Sequence, residues 1–202
     1  MRQQFISAIN QHQSAFGIGL PAEKIERLAD YYDLVIEHNP LLHLVGPCSP
    51  EEFAIRHILE SLMLLDHLPH GAKFADVGAG AGLPSIPCLI VRGDLKAVMV
   101  ESKQKKTGFL GVAVERLGIS GRAEIMNKQF QEVDPADCQA VTCRALDKFI
   151  QNLGRLLKWS KRRRLLLFGG PNLGEALEAQ NVIFTKKLMP MSERRFLFLS
   201  GQ

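Results

Sequence analysis

The stretch FADVGAGAGLPSIP, Phe74 to Pro87, decides the fold. A short apolar run leads into Gly78, Gly80 and Gly82, separated by single alanines, and Leu83, Pro84 and further apolar residues follow. Alternating glycines are expensive to order, so a bare backbone must serve a purpose here. A ligand, a tight turn and close packing are the three candidates.

The flanking sequence narrows the choice. KFADV reads as a short buried strand, and LPSIPCLIV as a helix with its prolines confined to the first turns. KAVMVE is a second strand, and SKQKKTGFLGVAVERLG a second helix stopped by Gly118. RAEIMN and CQAVTCRA supply strands three and four, DKFIQNLGRLLKWS a helix, and RRLLLFGG a fifth strand. NVIFTKKL and RRFLFLSG, joined by Met189 to Glu193, suit a hairpin at the end of the sheet. Alternating strands and helices predict an α/β fold over 71–202, Rossmann-like, with a mostly parallel seven-stranded sheet.

Ahead of it, 1–70 reads as a helical N-terminal extension packing on the core. PAEKIERLADYYDLVIEH has helical spacing, broken by Pro40, Gly46, Pro47 and Pro50. SPEEFAIRHILESLMLLDHL opens on Ser49 as N-cap and Pro50 at the first helical position. Phe53, Ile55, Ile58, Leu59, Leu62 and Leu65 form a wide apolar face that needs a partner.

In such sheets ligands bind at the carboxyl ends of the strands, near the switch point, and an acid about 20 residues past the glycines holds a ribose hydroxyl. Glu101, closing the second strand, stands at that distance from Gly82. The dinucleotide pattern is GxGxxG; here the third glycine arrives one residue early and Leu-Pro follows. That spacing favours S-adenosylmethionine. A dinucleotide-dependent oxidoreductase is the alternative, and a structural glycine turn beside a solvated glutamate is the reading without a ligand.

Composition limits the partners. A net charge of +4 is mildly basic and compatible with a polyanion without demanding one. Four cysteines with no CxxC pair suggest reduced thiols in a cytosolic protein. No signal-peptide core opens the chain and no apolar run spans a bilayer, so a cytoplasmic protein is expected, without a membrane partner. No histidine and cysteine spacing suggests a metal, and nothing suggests a coiled coil; a monomer is expected.

Several short motifs now coincide. DVGAGAGLPSIP resembles the signature loop of the bacterial small-subunit (16S) ribosomal RNA guanine-N7 methyltransferases, the glucose-inhibited division protein B family. RHILESL, VESKQKKTGFL, VTCRA and MPMSERRFLFL resemble further segments of that family, in order along nearly the whole chain. The resemblance implies a class I S-adenosylmethionine-dependent methyltransferase acting on N7 of a guanine in 16S rRNA or the small ribosomal subunit. Carried onto this chain, it places Gly78, Ala79, Gly80, Gly82 and Leu83 at the cofactor, with Glu101 and Ser102 on its ribose side. Phe130 and Gln131 fall on the adenine side, and Arg144 lies beside both the cofactor and the target base, as the catalytic candidate. The chain departs from the family pattern at His43, Val45, Glu60, Ala81 and Phe168. Those departures admit a relative with another RNA target, or an RNA-binding module without turnover.

Other residues invite rival readings. Lys105 and Lys106, and above all Arg162, Arg163 and Arg164, are candidate RNA contacts; a solvated surface is the plainer reading. Arg144 could instead be a structural ion-pair partner. Thr142-Cys143 could supply a thiolate for cytosine-C5 methylation, although no second catalytic cysteine accompanies it and buried cysteine is common. His43 and His57 read as structural, and Trp159 and Phe168 as core residues.

Overall fold

The computed structural model describes residues 1–135, 137–144, 149–161 and 163–201. Seven strands form one sheet: β1 Lys73–Val77, β2 Lys96–Val100, β3 Ala123–Met126, β4 Ala140–Cys143, β5 Arg164–Gly169, β6 Phe184–Leu188 and β7 Phe196–Ser200. Their order is β3-β2-β1-β4-β5-β7-β6. Strands β1 to β5 are parallel; β7 runs antiparallel between β5 and β6. The order reverses between β1 and β4, and that switch point opens a crevice at the carboxyl ends of the central strands.

The helices are α1 Arg2–His12, α2 Ala22–Leu42, α3 Pro50–Glu52, α4 Glu60–Leu62, α5 Ser85–Val91, α6 Gln104–Arg116, α7 Phe149–Trp159 and α8 Pro171–Ala179. Strand alternation sorts the core into two layers. Phe74, Ala97, Met99, Ala140, Leu166 and Leu197 face α5, α6 and the N-terminal helices. Ala75, Val77, Val98, Val141, Leu165 and Phe198 face α7 and α8. The N-terminal helices thus share one core with the sheet, and they join one another where Phe5 stacks on Tyr32 and Phe53 meets both rings edge-on.

Two expectations need correction. The sequence reading breaks the second helix at Pro40, but α2 continues to Leu42 and is capped by His43 in the left-handed region. In the last turn a proline forfeits one backbone bond, which the packed face of α2 outweighs. The reading also passes from the fifth strand to the tail, whereas α8 intervenes, starting with Pro171 at its first position. Gly174 disguises this helix; a Cβ there would lie 3.1 Å from the Phe198 ring, so the glycine is a packing residue.

Ser49 caps α3 in a capping box with Glu52. The chain then widens into π-helical turns over Phe53–Leu59 before α4. Such widening adds a residue to the turn and is frequent at functional sites. Here Glu60 and Ser61, which follow it, meet the end of β4.

Candidate active site

A cleft of about 280 Å³ lies at the carboxyl ends of β1, β2 and β4. The glycine turn forms its floor. Gly78 and Ala79 donate their amides to Val100 O, tying the turn to β2. Gly78 and Gly80 have φ of 74° and 55°, left-handed values that leave bare backbone facing the cleft. The Tyr31 hydroxyl donates to Ala81 O at 2.8 Å, so α2 holds the turn from behind.

Glu101 sits at the end of β2, 7% exposed. One carboxylate oxygen accepts from Gly80 N at 3.0 Å, the other from Lys103 N at 2.8 Å. The acid is therefore oriented by the turn on one side and the start of α6 on the other. Phe130 forms an apolar wall, held edge-on by Trp159, whose indole donates to Val133 O.

Arg144 closes the opposite end. Its guanidinium donates to Ser61 Oγ at 3.1 Å, to Glu60 Oε2 at 3.2 Å and to the carbonyl of Arg56. It also lies over the Phe168 ring, 5.3 Å from the centroid. Glu60, 2% exposed, pairs through its other oxygen with Arg195. Arg144 is thus both an ion-pair partner and a wall of the cleft.

Of the residues read from the sequence, Gly78, Ala79, Gly80, Leu83, Glu101, Ser102, Phe130, Arg144 and Lys106 line this cleft. Gly82 does not: its φ is 89°, and a Cβ would lie 2.3 Å from Ile86 Cδ1, so it allows α5 to close against the turn. Gln131 is exposed outside the cleft, while Gln129 and Lys128 line it. Lys105 is exposed on α6, away from the lining. Arg162 lies outside the described residues. Arg163 and Arg164 are at the wrong end of the sheet: Arg164 pairs with Ala140, and Ala140 with Phe74, at the amino ends of the strands. Their guanidinium groups bind the carbonyls of Cys138, Ser160 and His67. Cys143 ends β4, is buried on the α7 and α8 face of the sheet and is absent from the lining.

Sequence reasoning marked Val45 only as a departure from the family pattern and read His57 as structural, and it left Leu44 and Gly46 without a role. Leu44, Val45, Gly46 and His57 line the cleft, with Val45 N held by Asn39 Oδ1 at 2.9 Å. Burial, reinforced by Arg144, Arg56 and Arg195, pushes the His57 imidazole down to about 3, so it is neutral. Below the floor, burial raises the Asp76 carboxyl to about 7 against the opposing hydrogen bond from Ser85 Oγ at 2.6 Å.

The cleft fits a nucleoside-bearing cofactor: bare backbone at the turn, an oriented acid for ribose hydroxyls, and an apolar wall for a purine. With the sheet order, these features define a Rossmann-like S-adenosylmethionine-dependent methyltransferase. The solved structure of a SAM-dependent methyltransferase from Aquifex aeolicus has a similar fold, with a TM-score of 0.57 at 16% identity, covering 75% of this chain and 93% of that one. The family model described as rRNA small subunit methyltransferase G matches residues 24–195, and the chain belongs to that family. The ribosomal RNA small subunit methyltransferase G of Sorangium cellulosum is 35% identical, over 68% of this chain and 60% of that protein. The one from Ruegeria pomeroyi is 32% identical, over 68% of each.

Proposed function

We propose that this protein transfers a methyl group from S-adenosylmethionine to N7 of a guanine in 16S ribosomal RNA, acting in the cytoplasm as a monomer. The observation that carries the reading is the meeting of the glycine turn, Glu101 and Arg144 in one cleft at the switch point, in a chain of this family. Gly78, Ala79 and Gly80 would hold the cofactor along bare backbone, Glu101 its ribose hydroxyls and Phe130 its base. When bound, the cofactor supplies a methyl group on a positively charged sulfur. Guanine N7 already carries an accessible lone pair, so no residue has to remove a proton from it. The protein's contribution is then alignment and exclusion of water. That suits a site whose histidine is held neutral by burial and three arginines.

The segment 1–70 completes the cleft rather than merely covering the sheet, since Leu44 and Val45 in the loop after α2 and His57 in the π-helical turns line it. Lys103, Lys106 and Lys128 form a cationic rim suited to phosphates.

The test is transfer of labelled methyl from S-adenosylmethionine to small ribosomal subunits lacking this modification, followed by nucleoside analysis. Labelled 7-methylguanosine is the expected product. Labelled 5-methylcytidine would reject guanine N7 as the acceptor. Cofactor binding without label on subunits or naked RNA would reject the proposed acceptor.

A further inference from the structure

His57 lines the cofactor cleft, yet its Nδ1 is sealed from solvent without a hydrogen-bond partner among the described residues. We propose that this imidazole donates its Nε2–H to the carboxylate of the cofactor's amino-acid tail and so fixes where the tail lies; the proposal rests on the cofactor reading of this cleft.

Burial decides the tautomer. The ring is kept neutral by its withdrawal from solvent, with Arg144, Arg56 and Arg195 adding to the effect. A neutral imidazole carries a single N–H, and its other nitrogen is an acceptor. Buried N–H groups without a partner are rarer in proteins than buried acceptors without one, so the proton belongs on the nitrogen that is not sealed. His57 as a whole is half-buried and lines the cleft. The open side of the ring is therefore the one that carries Nε2, and it presents a donor without a charge.

That donor is held in place. His57 belongs to the π-helical turns over Phe53–Leu59, and Phe53 meets its ring edge-on, with centroids 5.0 Å apart. The carbonyl of His57 accepts from Ser61 Oγ, which in turn accepts from Arg144. One short chain of hydrogen bonds thus ties the backbone of His57 to the guanidinium that lines the same cleft. A donor fixed before binding loses little freedom when a ligand arrives.

The surroundings select a carboxylate as the acceptor. With ribose at Glu101 and base at Phe130, the end of the cleft lined by Leu44, Val45, His57 and Arg144 is left for the tail. Glu101 is the only carboxylate among the described lining residues, and it is engaged by Gly80 N and Lys103 N. The tail end therefore offers one cation and one neutral donor, with no anion among the described residues. A second cation there would oppose the positively charged sulfur; a neutral N–H binds the carboxylate without that repulsion.

The test is calorimetric titration of two ligands into the full chain. S-adenosylhomocysteine carries the amino-acid tail; 5′-methylthioadenosine keeps the adenosine and the sulfur without it. His57→Phe should weaken S-adenosylhomocysteine by about tenfold, the worth of a hydrogen bond to a charged group, and leave 5′-methylthioadenosine unchanged. His57→Gln, which keeps a donor, should restore most of the loss. Equal weakening of both ligands, or of neither, overturns the proposal and leaves His57 as packing in the wall. The parent chain gives a second measurement that does not depend on how the variants fold. With nitrogen-labelled histidine, the His57 ring should show its proton on Nε2 and respond to S-adenosylhomocysteine far more than to 5′-methylthioadenosine. A proton on Nδ1, or equal responses, overturns the proposal. A parent that binds neither ligand rejects the cofactor cleft itself, and the proposal with it. Selective loss in His57→Phe from a parent that methylates no RNA rejects the acceptor alone and leaves the role of His57 standing.

Discussion

Glu60 Oε2 lies 3.2 Å from a terminal nitrogen of Arg144, and the two residues belong to elements 84 positions apart in the chain. The pair joins the N-terminal helices to the end of β4, and both side chains are largely withdrawn from solvent. Breaking a buried pair on one side leaves an uncompensated charge, at a cost of about 3 kcal/mol. Glu60→Gln should therefore lower stability by that order in urea denaturation and sharply reduce methyl transfer. Glu60→Asp keeps the charge on a shorter arm and should lose much less. A Glu60→Gln protein as stable and active as the parent would show that Arg144 is held by Ser61 and the Arg56 carbonyl alone.

Glu101 makes a second prediction, confined to the cofactor. Its carboxylate is held by two backbone amides, ready to accept from ribose hydroxyls. Hydrogen bonds to a charged group contribute about 1.5–3 kcal/mol. Glu101→Ala should weaken S-adenosylmethionine by roughly tenfold to a hundredfold in calorimetric titration. Affinity for RNA should change little.

Gly82 tests the separation of turn and ligand. Alanine there would combine left-handed strain with a Cβ pressed on Ile86; overpacking and strain together should cost about 3 kcal/mol. Gly71 has a similar φ of 71° but open space around it, so Gly71→Ala should cost only about 1 kcal/mol. Chemical denaturation of the two variants separates crowding from backbone strain. Equal losses would mean that α5 yields without difficulty.

The pH dependence of stability should hide two opposed slopes. Asp76 rises from 3.8 to about 7 on folding. Between those values the native state holds a proton that the unfolded chain has lost, so this group's stabilisation falls as pH rises. His57 drops from 6.5 to about 3. Across that window the unfolded chain holds the extra proton, so stabilisation from His57 is present above 6.5 and is lost as pH falls. Each slope is about 1.4 kcal/mol per pH unit, and over roughly pH 4.5 to 6 they cancel. Asp76→Asn should leave stability rising with pH there, and His57→Gln should leave it falling. Denaturation midpoints at several pH values would show parallel profiles if neither group is perturbed.

Local pattern accounts for what could be read in advance. The strand ending in Val77, the turn at Gly78 to Gly82 and the acid at Glu101 lie within one contiguous unit, so spacing alone places them together. Val45 and His57 carry no such mark: they reach the cleft only because α2 and the π-helical turns fold back over the sheet, a long-range contact without local periodicity. Arg163 and Arg164 show the converse. A dense basic run stands out in a sequence, yet parallel register carries it to the amino ends of the strands, where carbonyls occupy the guanidinium groups.

That placement divides the cations by role. Lys106 lines the cleft on α6, whereas Arg164 donates to His67 O at 2.9 Å and tethers β5 to the end of the N-terminal helices. Each phosphate contact adds to the salt dependence of RNA binding, so losing one should reduce the slope of log K against log salt by about one. Lys106→Ala should show that reduced slope with unchanged thermal stability. Arg164→Ala should show the reverse: an unaltered slope and a destabilisation of about 1 kcal/mol, the worth of a hydrogen bond from a charged group shared with solvent. Binding to a ribosomal RNA fragment at four or five salt concentrations, alongside thermal denaturation, measures both. If Arg164→Ala flattens the salt dependence instead, RNA reaches the amino ends of the strands, and its path extends well beyond the rim of the cofactor cleft.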